Sequence, residues 1–151
     1  MSLNAGSKAP AFTLPINGGG TISSAQLKGK PYVLYFYPKA DTSGCTKEAQ
    51  AFQDSLGAFA AKGATVIGVS RDPVKALDKF AAKYGLEFPL ASDEAGALTE
   101  AYGVWVEKSM YGKKYMGIER STFLVAANGQ IEKVWPKVKI DGHAAEVLAS
   151  L

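Results

Sequence analysis

The chain of 151 residues contains one cysteine, so no disulfide can form within it and the fold must hold without one. It also contains one histidine, His143, and a Cys/His pair of one each argues against a structural zinc site, which takes four ligands. Arginine is almost as scarce, with Arg71 and Arg120 alone. Charge of one sign is not in excess: 17 basic and 14 acidic residues leave a formal net charge of +3. That is too little to argue for nucleic acid, and the densest basic spots, Lys113-Lys114 and Lys133, Lys137, Lys139, read as solvated faces. No apolar run reaches bilayer length, which argues against a membrane span. Met1 to Ala11 lacks the basic and apolar regions of a secretory leader, so a cytoplasmic location is expected.

What is present is an ordinary globular balance, 47% hydrophobic and 21% charged, without repeats, low-complexity tracts or linkers. One domain over residues 1–151 is expected. Phe12–Leu14 and Thr21–Ile22 flank Gly18-Gly19-Gly20 and suit a short N-terminal β-hairpin. The glycine triplet is not a phosphate loop, because no lysine follows at the required spacing. The apolar run Tyr32–Tyr37 fits a strand covered on both faces, ended by Pro38. Asp41, Thr42 and Ser43 offer helix caps, with Ala49, Phe52, Leu56 and Phe59 at helical spacing up to Gly63. Thr65–Val69 reads as the next strand, Asp72-Pro73 as the start of a second helix, and Asp93 as the cap of a third. Thr122–Val125, Asn128-Gly129 and Ile131–Trp135 read as a hairpin, and Asp141–Leu151 as a closing helix. Strands alternating with helices, then an antiparallel pair and a last helix, imply a central sheet between helices.

The lone cysteine, Cys45, falls where the first apolar strand gives way to a helix. A helix start presents unpaired N–H groups and a positive dipole end, which favour a thiolate, the nucleophilic form of the sulfur. The alternative is a small hydrophobe at the edge of the core, since Cys45 shares a helix face with Ala49, Phe52 and Leu56. Thr42 lies one turn earlier, where its hydroxyl can donate to the sulfur or to a bound oxygen. Gly44 permits close approach to the backbone, and Pro38 stiffens the entry and shields the sulfur. Arg120 precedes an apolar strand and can point inward from its end, although most arginines lie on the surface. Glu48, one turn after Cys45, fits a helix surface or cap as well as a supporting role. Tyr37 reads as packing, and His143 as a residue at the start of the last helix.

These residues resemble a known family. Pro38-x-x-x-Thr42-x-x-Cys45 is similar to the signature of the peroxiredoxins, thiol peroxidases on a thioredoxin-like fold. Tyr35–Lys39, Gly44–Ala49, Met110–Lys114 and Gly117–Phe123 resemble the bacterioferritin comigratory, or Q-type, branch over nearly the whole chain. The resemblance implies a three-layer α/β sandwich with a mixed central sheet and an antioxidant, redox-active centre. It also implies that Cys45 is the peroxidatic nucleophile, with Thr42 and Arg120 as catalytic donors and Pro38, Gly44 and Glu48 in support. It implies hydroperoxide substrates and a thiol reductant, with no metal or other cofactor, and a monomer or at most a weak dimer.

The chain departs from the branch pattern in two places. Gln50 stands where many members carry a second, resolving cysteine, and Ser43 stands where a proline commonly precedes Gly-Cys. The sulfenic acid must therefore be resolved by an external thiol or by a partner chain's Cys45, and a one-cysteine cycle using glutathione with glutaredoxin, or thioredoxin directly, is expected. Two rivals remain at this point. A disulfide oxidoreductase on the same fold lacks its Cys-x-x-Cys pair, and a thioredoxin-like binding or chaperone module would leave Cys45 merely packed.

Overall fold

The computed structural model describes residues 3–151, so Met1 and Ser2, the start of the segment read for a leader, lie outside the described residues. The apolar runs pair into a five-stranded sheet in the order β5-β4-β3-β8-β9. Its strands are β3 (Tyr32–Phe36), β4 (Thr65–Ser70), β5 (Leu90–Ser92), β8 (Ser121–Val125) and β9 (Ile131–Trp135). β3, β4 and β5 are mutually parallel, while β8 runs antiparallel to both β3 and β9, so the sheet is mixed. β3, β4, β5 and β8 are buried almost throughout, as expected of strands covered on both faces.

Alternation along β3 assigns its side chains to two cores. Val33, Tyr35 and Tyr37 pack with Phe52, Phe59, Phe80 and Val147. These come from α1 (Ser43–Asp54), α2 (Leu56–Ala61), α3 (Val74–Tyr84) and α5 (His143–Ala149). Tyr32, Leu34 and Phe36 face the other way, toward Leu98 and Tyr102 around α4 (Ala97–Ala101). The expected hairpin forms as β1 (Thr13–Pro15) against β2 (Thr21–Ser23), and Ile16 bridges to Ala91 at the sheet edge. The three-layer, thioredoxin-like α/β arrangement is thus present.

Three local features differ from the sequence reading. The first long helix breaks at Ser55, whose N–H turns back to the Phe52 carbonyl at 3.2 Å, so Leu56 and Phe59 belong to a separate helix. The closing helix is shorter, starting at His143 behind Gly142, which sits at φ 75. A further antiparallel ribbon, β6 (Trp105–Met110) with β7 (Lys113–Ile118), occupies a stretch that the apolar pattern left unassigned. Its turn uses Tyr111 and Gly112, both at positive φ (52 and 77), the geometry that lets two-residue loops follow strand twist.

Candidate active site

The sheet topology brings residues 45 and 120 together. β3 runs toward Pro38 and the start of α1, and β8 runs antiparallel beside it, with Phe36 opposite Ser121. The residue just before β8, Arg120, therefore lies beside the first turn of α1, in which Cys45 is the third residue. Its carbonyl accepts from the Val138 N–H at 2.8 Å, which ties this corner to the segment after β9.

Cys45 is 1% exposed. Arg120 donates from Nη2 to its Sγ at 3.3 Å and from Nη1 to Glu48 Oε1 at 2.6 Å. One rigid guanidinium fork thus spans the sulfur and a carboxylate, and its charge does not depend on pH in the working range. A cation donating to sulfur serves the anion better than the neutral thiol. Gly44 leaves room for this approach. A Cβ built there would lie 3.3 Å from Arg120 Nη2 and 3.2 Å from Ile140 Cδ1, tighter than side chains normally pack. Beside Gly44 opens a cavity of about 850 Å³, lined by Ser43, Gly44, Lys47, Lys139, Ile140 and Asp141.

Glu48 is not a surface or capping residue: it is as buried as Cys45, with Oε1 on Arg120 and no hydrogen-bond partner for Oε2 among the described residues. Burial pushes its carboxyl up to about 7, against the pull of the Arg120 charge. A carboxyl raised in the folded state stabilises it fully below the ordinary value of 4.5, and that contribution is lost as pH rises through 7. Stability should fall by up to about 3 kcal/mol across this window at 1.36 kcal/mol per pH unit. Glu48→Gln should lack that slope, as urea midpoints at pH 5 and pH 7.5 will show.

Thr42 supplies the N-cap position of α1 by its backbone, without a side-chain cap bond. Its hydroxyl donates to the Lys39 carbonyl at 2.9 Å, so the proton expected at the sulfur is held by the loop, while the oxygen keeps its lone pairs. Pro38 is exposed where the chain leaves β3. Tyr37 packs inside, its ring against Phe80. His143 opens α5 as expected but is buried, its Nε2 2.8 Å from Thr122 Oγ1, and burial pushes its imidazole below the usual value.

Two aspartates that sequence reasoning did not assign to the site hold the loop before Cys45. Asp72 does not cap α3, whose N-cap is Pro73. Its carboxylate accepts instead from the Ala40 N–H at 2.8 Å and the Ser70 hydroxyl at 2.7 Å. Asp41 sits at φ 61, a left-handed conformation that aspartate tolerates better than most residues. There it takes the Tyr84 hydroxyl at 2.6 Å and the Lys83 ammonium at 3.0 Å. An Asp at a strand-to-helix loop was a visible signal, but its partners more than forty residues on were not. Among the described residues no cluster of His, Cys, Asp or Glu is arranged to hold a metal ion, and no helix is long and apolar enough to cross a membrane.

A family model described as the AhpC/TSA family matches residues 5–134. The chain is 47% identical over 151 residues to Peroxiredoxin Bcp of Bacillus subtilis, covering all of this chain and 96% of that protein. It is 50% identical over 145 residues to Peroxiredoxin Bcp of Xanthomonas campestris, covering 95% of this chain and 91% of that one. A solved structure of the Xanthomonas campestris bacterioferritin comigratory protein, described for its alkyl peroxide reduction, matches with a TM-score of 0.91. At 46% identity, that match covers 97% of this chain and 96% of the other.

Proposed function

The chain belongs to the AhpC/TSA family, in its Bcp or Q-type peroxiredoxin branch, and from that premise we propose a thiol-dependent peroxidase that works through Cys45. The carrying observation is the Arg120 fork, which joins the only sulfhydryl in the chain to the buried Glu48. A packing cysteine needs no such donor, and a disulfide oxidoreductase needs a second sulfur.

In the first step the Cys45 thiolate attacks one oxygen of ROOH. The S–O bond forms as the O–O bond breaks, sulfur is oxidised by two electrons to sulfenic acid, and the other oxygen leaves as alkoxide or hydroxide and takes up a proton. Charge moves from the sulfur to the departing oxygen, so fixed donors that face both ends lower the barrier. Arg120 Nη2 and the backbone N–H groups at the start of α1 are placed for this. The Thr42 oxygen accepts a hydrogen bond from the O–H of the incoming peroxide, while its own O–H stays donated to the Lys39 carbonyl. Thr42→Val should therefore cut the second-order rate with hydrogen peroxide at least about tenfold in stopped flow, with the fold intact. An unchanged rate removes Thr42 from the mechanism.

With no second cysteine, an external thiol condenses with the sulfenic acid, releasing water and leaving a mixed disulfide, and a further thiol frees Cys45. Thioredoxin, or glutathione with glutaredoxin, supplies these electrons in a cytoplasmic monomer. Peroxide consumption with dithiothreitol, glutathione and glutaredoxin, and thioredoxin in turn tests the cycle. Turnover with none of the three overturns it.

A further inference from the structure

The large apolar side chains that the fold leaves exposed all lie, among the described residues, on the β6–β7 ribbon: Met110 57%, Tyr111 98%, Tyr115 44% and Met116 48%. An isolated two-stranded hairpin is marginally stable in water. Exposing four large apolar groups on one does nothing for folding, and clustered exposed apolar surface marks interaction sites.

The tip adds a second oddity. Tyr111 occupies a left-handed position (φ 52) that glycine or asparagine fills at less cost, and its side chain reaches only solvent.

The register then fixes which way the ribbon looks. Lys108 pairs with Tyr115 and Met110 with Lys113, so these four share one face with Val106 and Gly117. The Lys108 stem lies across Gly117, where a Cβ would come within 3.3 Å of its Cδ. β7 ends at Ile118, two residues before Arg120, whose guanidinium donates to Cys45 Sγ at 3.3 Å. The ribbon therefore runs directly into the residue that holds the sulfur.

We propose that the β6–β7 ribbon is the docking surface for a thiol protein with an acidic, partly apolar face, which delivers its thiol to oxidised Cys45. The proposal rests on the peroxidase reading above. The charge on the ribbon selects the occupant. Lys114 is neutralised by Glu107 at 3.8 Å, whereas Lys108 and Lys113 have no ion-pair partner among the described residues. Two copies of this chain placed ribbon to ribbon would oppose these uncompensated cations, while an acidic partner pairs them. Met110, Tyr111 and Tyr115 supply the aromatic and thioether contacts in which binding energy concentrates.

The test compares the intact protein with Met110→Ser/Tyr115→Ser and with Lys113→Glu, using thioredoxin with its reductase and glutathione with glutaredoxin as reductants and dithiothreitol as the undocked control. Both variants should lose at least about tenfold in kcat/KM for the preferred protein reductant. Oxidation of Cys45 by peroxide and turnover with dithiothreitol should be unchanged. The Lys113→Glu defect should shrink as salt is raised, since screening removes what the charge reversal spoils. The proposal is overturned if neither variant slows the protein reductants, or if both reductants fail while dithiothreitol succeeds. It is equally overturned if the variants instead disperse a dimer in sedimentation, or abolish binding to anionic phosphatidylglycerol vesicles. Failure of dithiothreitol turnover in the native chain would overturn the Cys45 reading together with it.

Discussion

Arg120→Met is expected to slow the reaction of Cys45 with hydrogen peroxide by a hundredfold or more and to weaken the fold in a pH-dependent way. Methionine keeps much of the volume and removes both donors of the fork, the one on Sγ at 3.3 Å and the one on Glu48 at 2.6 Å. Loss of a single fixed donor facing developing charge costs on the order of 3 kcal/mol of transition-state stabilisation, about two orders of magnitude in rate. The second loss leaves Glu48 buried with both oxygens unpartnered. Its carboxyl is already pushed up to about 7 by burial, and removing the guanidinium removes the one charge that pulls it down. The variant therefore holds a neutral, tolerable carboxylic acid at pH 6 and pays for an unpaired buried anion, or for keeping its proton, at pH 8. Urea midpoints should drop more at pH 8 than at pH 6, and a uniform drop would show that Glu48 is not the group involved. Arg120→Lys should recover little of the rate, because one ammonium cannot serve both oxygen and sulfur in the geometry of a planar fork.

Cys45→Ser is expected to remove thiol-dependent peroxide turnover to the limit of detection, a fall of at least about a thousandfold for loss of a covalent nucleophile. No other residue can substitute, since the remaining sulfur atoms are in three methionine thioethers. Serine occupies nearly the same space, and its hydroxyl can accept from Arg120, so unfolding midpoints should stay within about 1–2 kcal/mol of the parent. Intact mass gives the companion measurement. Equimolar peroxide followed by glutathione should add one glutathione to the parent chain and none to Cys45→Ser. An adduct on neither protein, with the parent sulfur found as sulfenic acid, would exclude glutathione as the resolving thiol.

The chemistry-bearing residues stand out in the sequence because their signals are local. Cys45 and Gly44 fall at a strand-to-helix junction, a type of position that a single run of residues reveals. Arg120 needed more, because position alone favours a surface arginine; the family resemblance singled it out, and the antiparallel β3–β8 register is what brings it beside α1. Glu48 was ambiguous for a physical reason. Its spacing from Cys45 places it one turn along the helix, but whether that turn faces solvent or Arg120 is decided by packing against β8. The role of Asp72 was obscured by its neighbour, because Asp-Pro is also a common helix opening, and its carboxylate goes to Ala40 across a gap of 32 residues. The β6–β7 ribbon escaped notice because exposure on both faces erases the alternation that identifies a strand. The break at Ser55 was hidden inside a helical pattern that continues on both sides of it.

The contact between Asp41 and the end of α3 has a mechanical consequence. Lys83 and Tyr84 lie outside the proposed site, yet they grip the residue at which the chain turns toward α1. A disturbance in the last turn of α3 therefore acts, through a single carboxylate, on the loop that leads into α1. The loop that leads into the Cys45 helix is thus pinned partly from the outside of the molecule, by a clasp more than forty residues further along the chain.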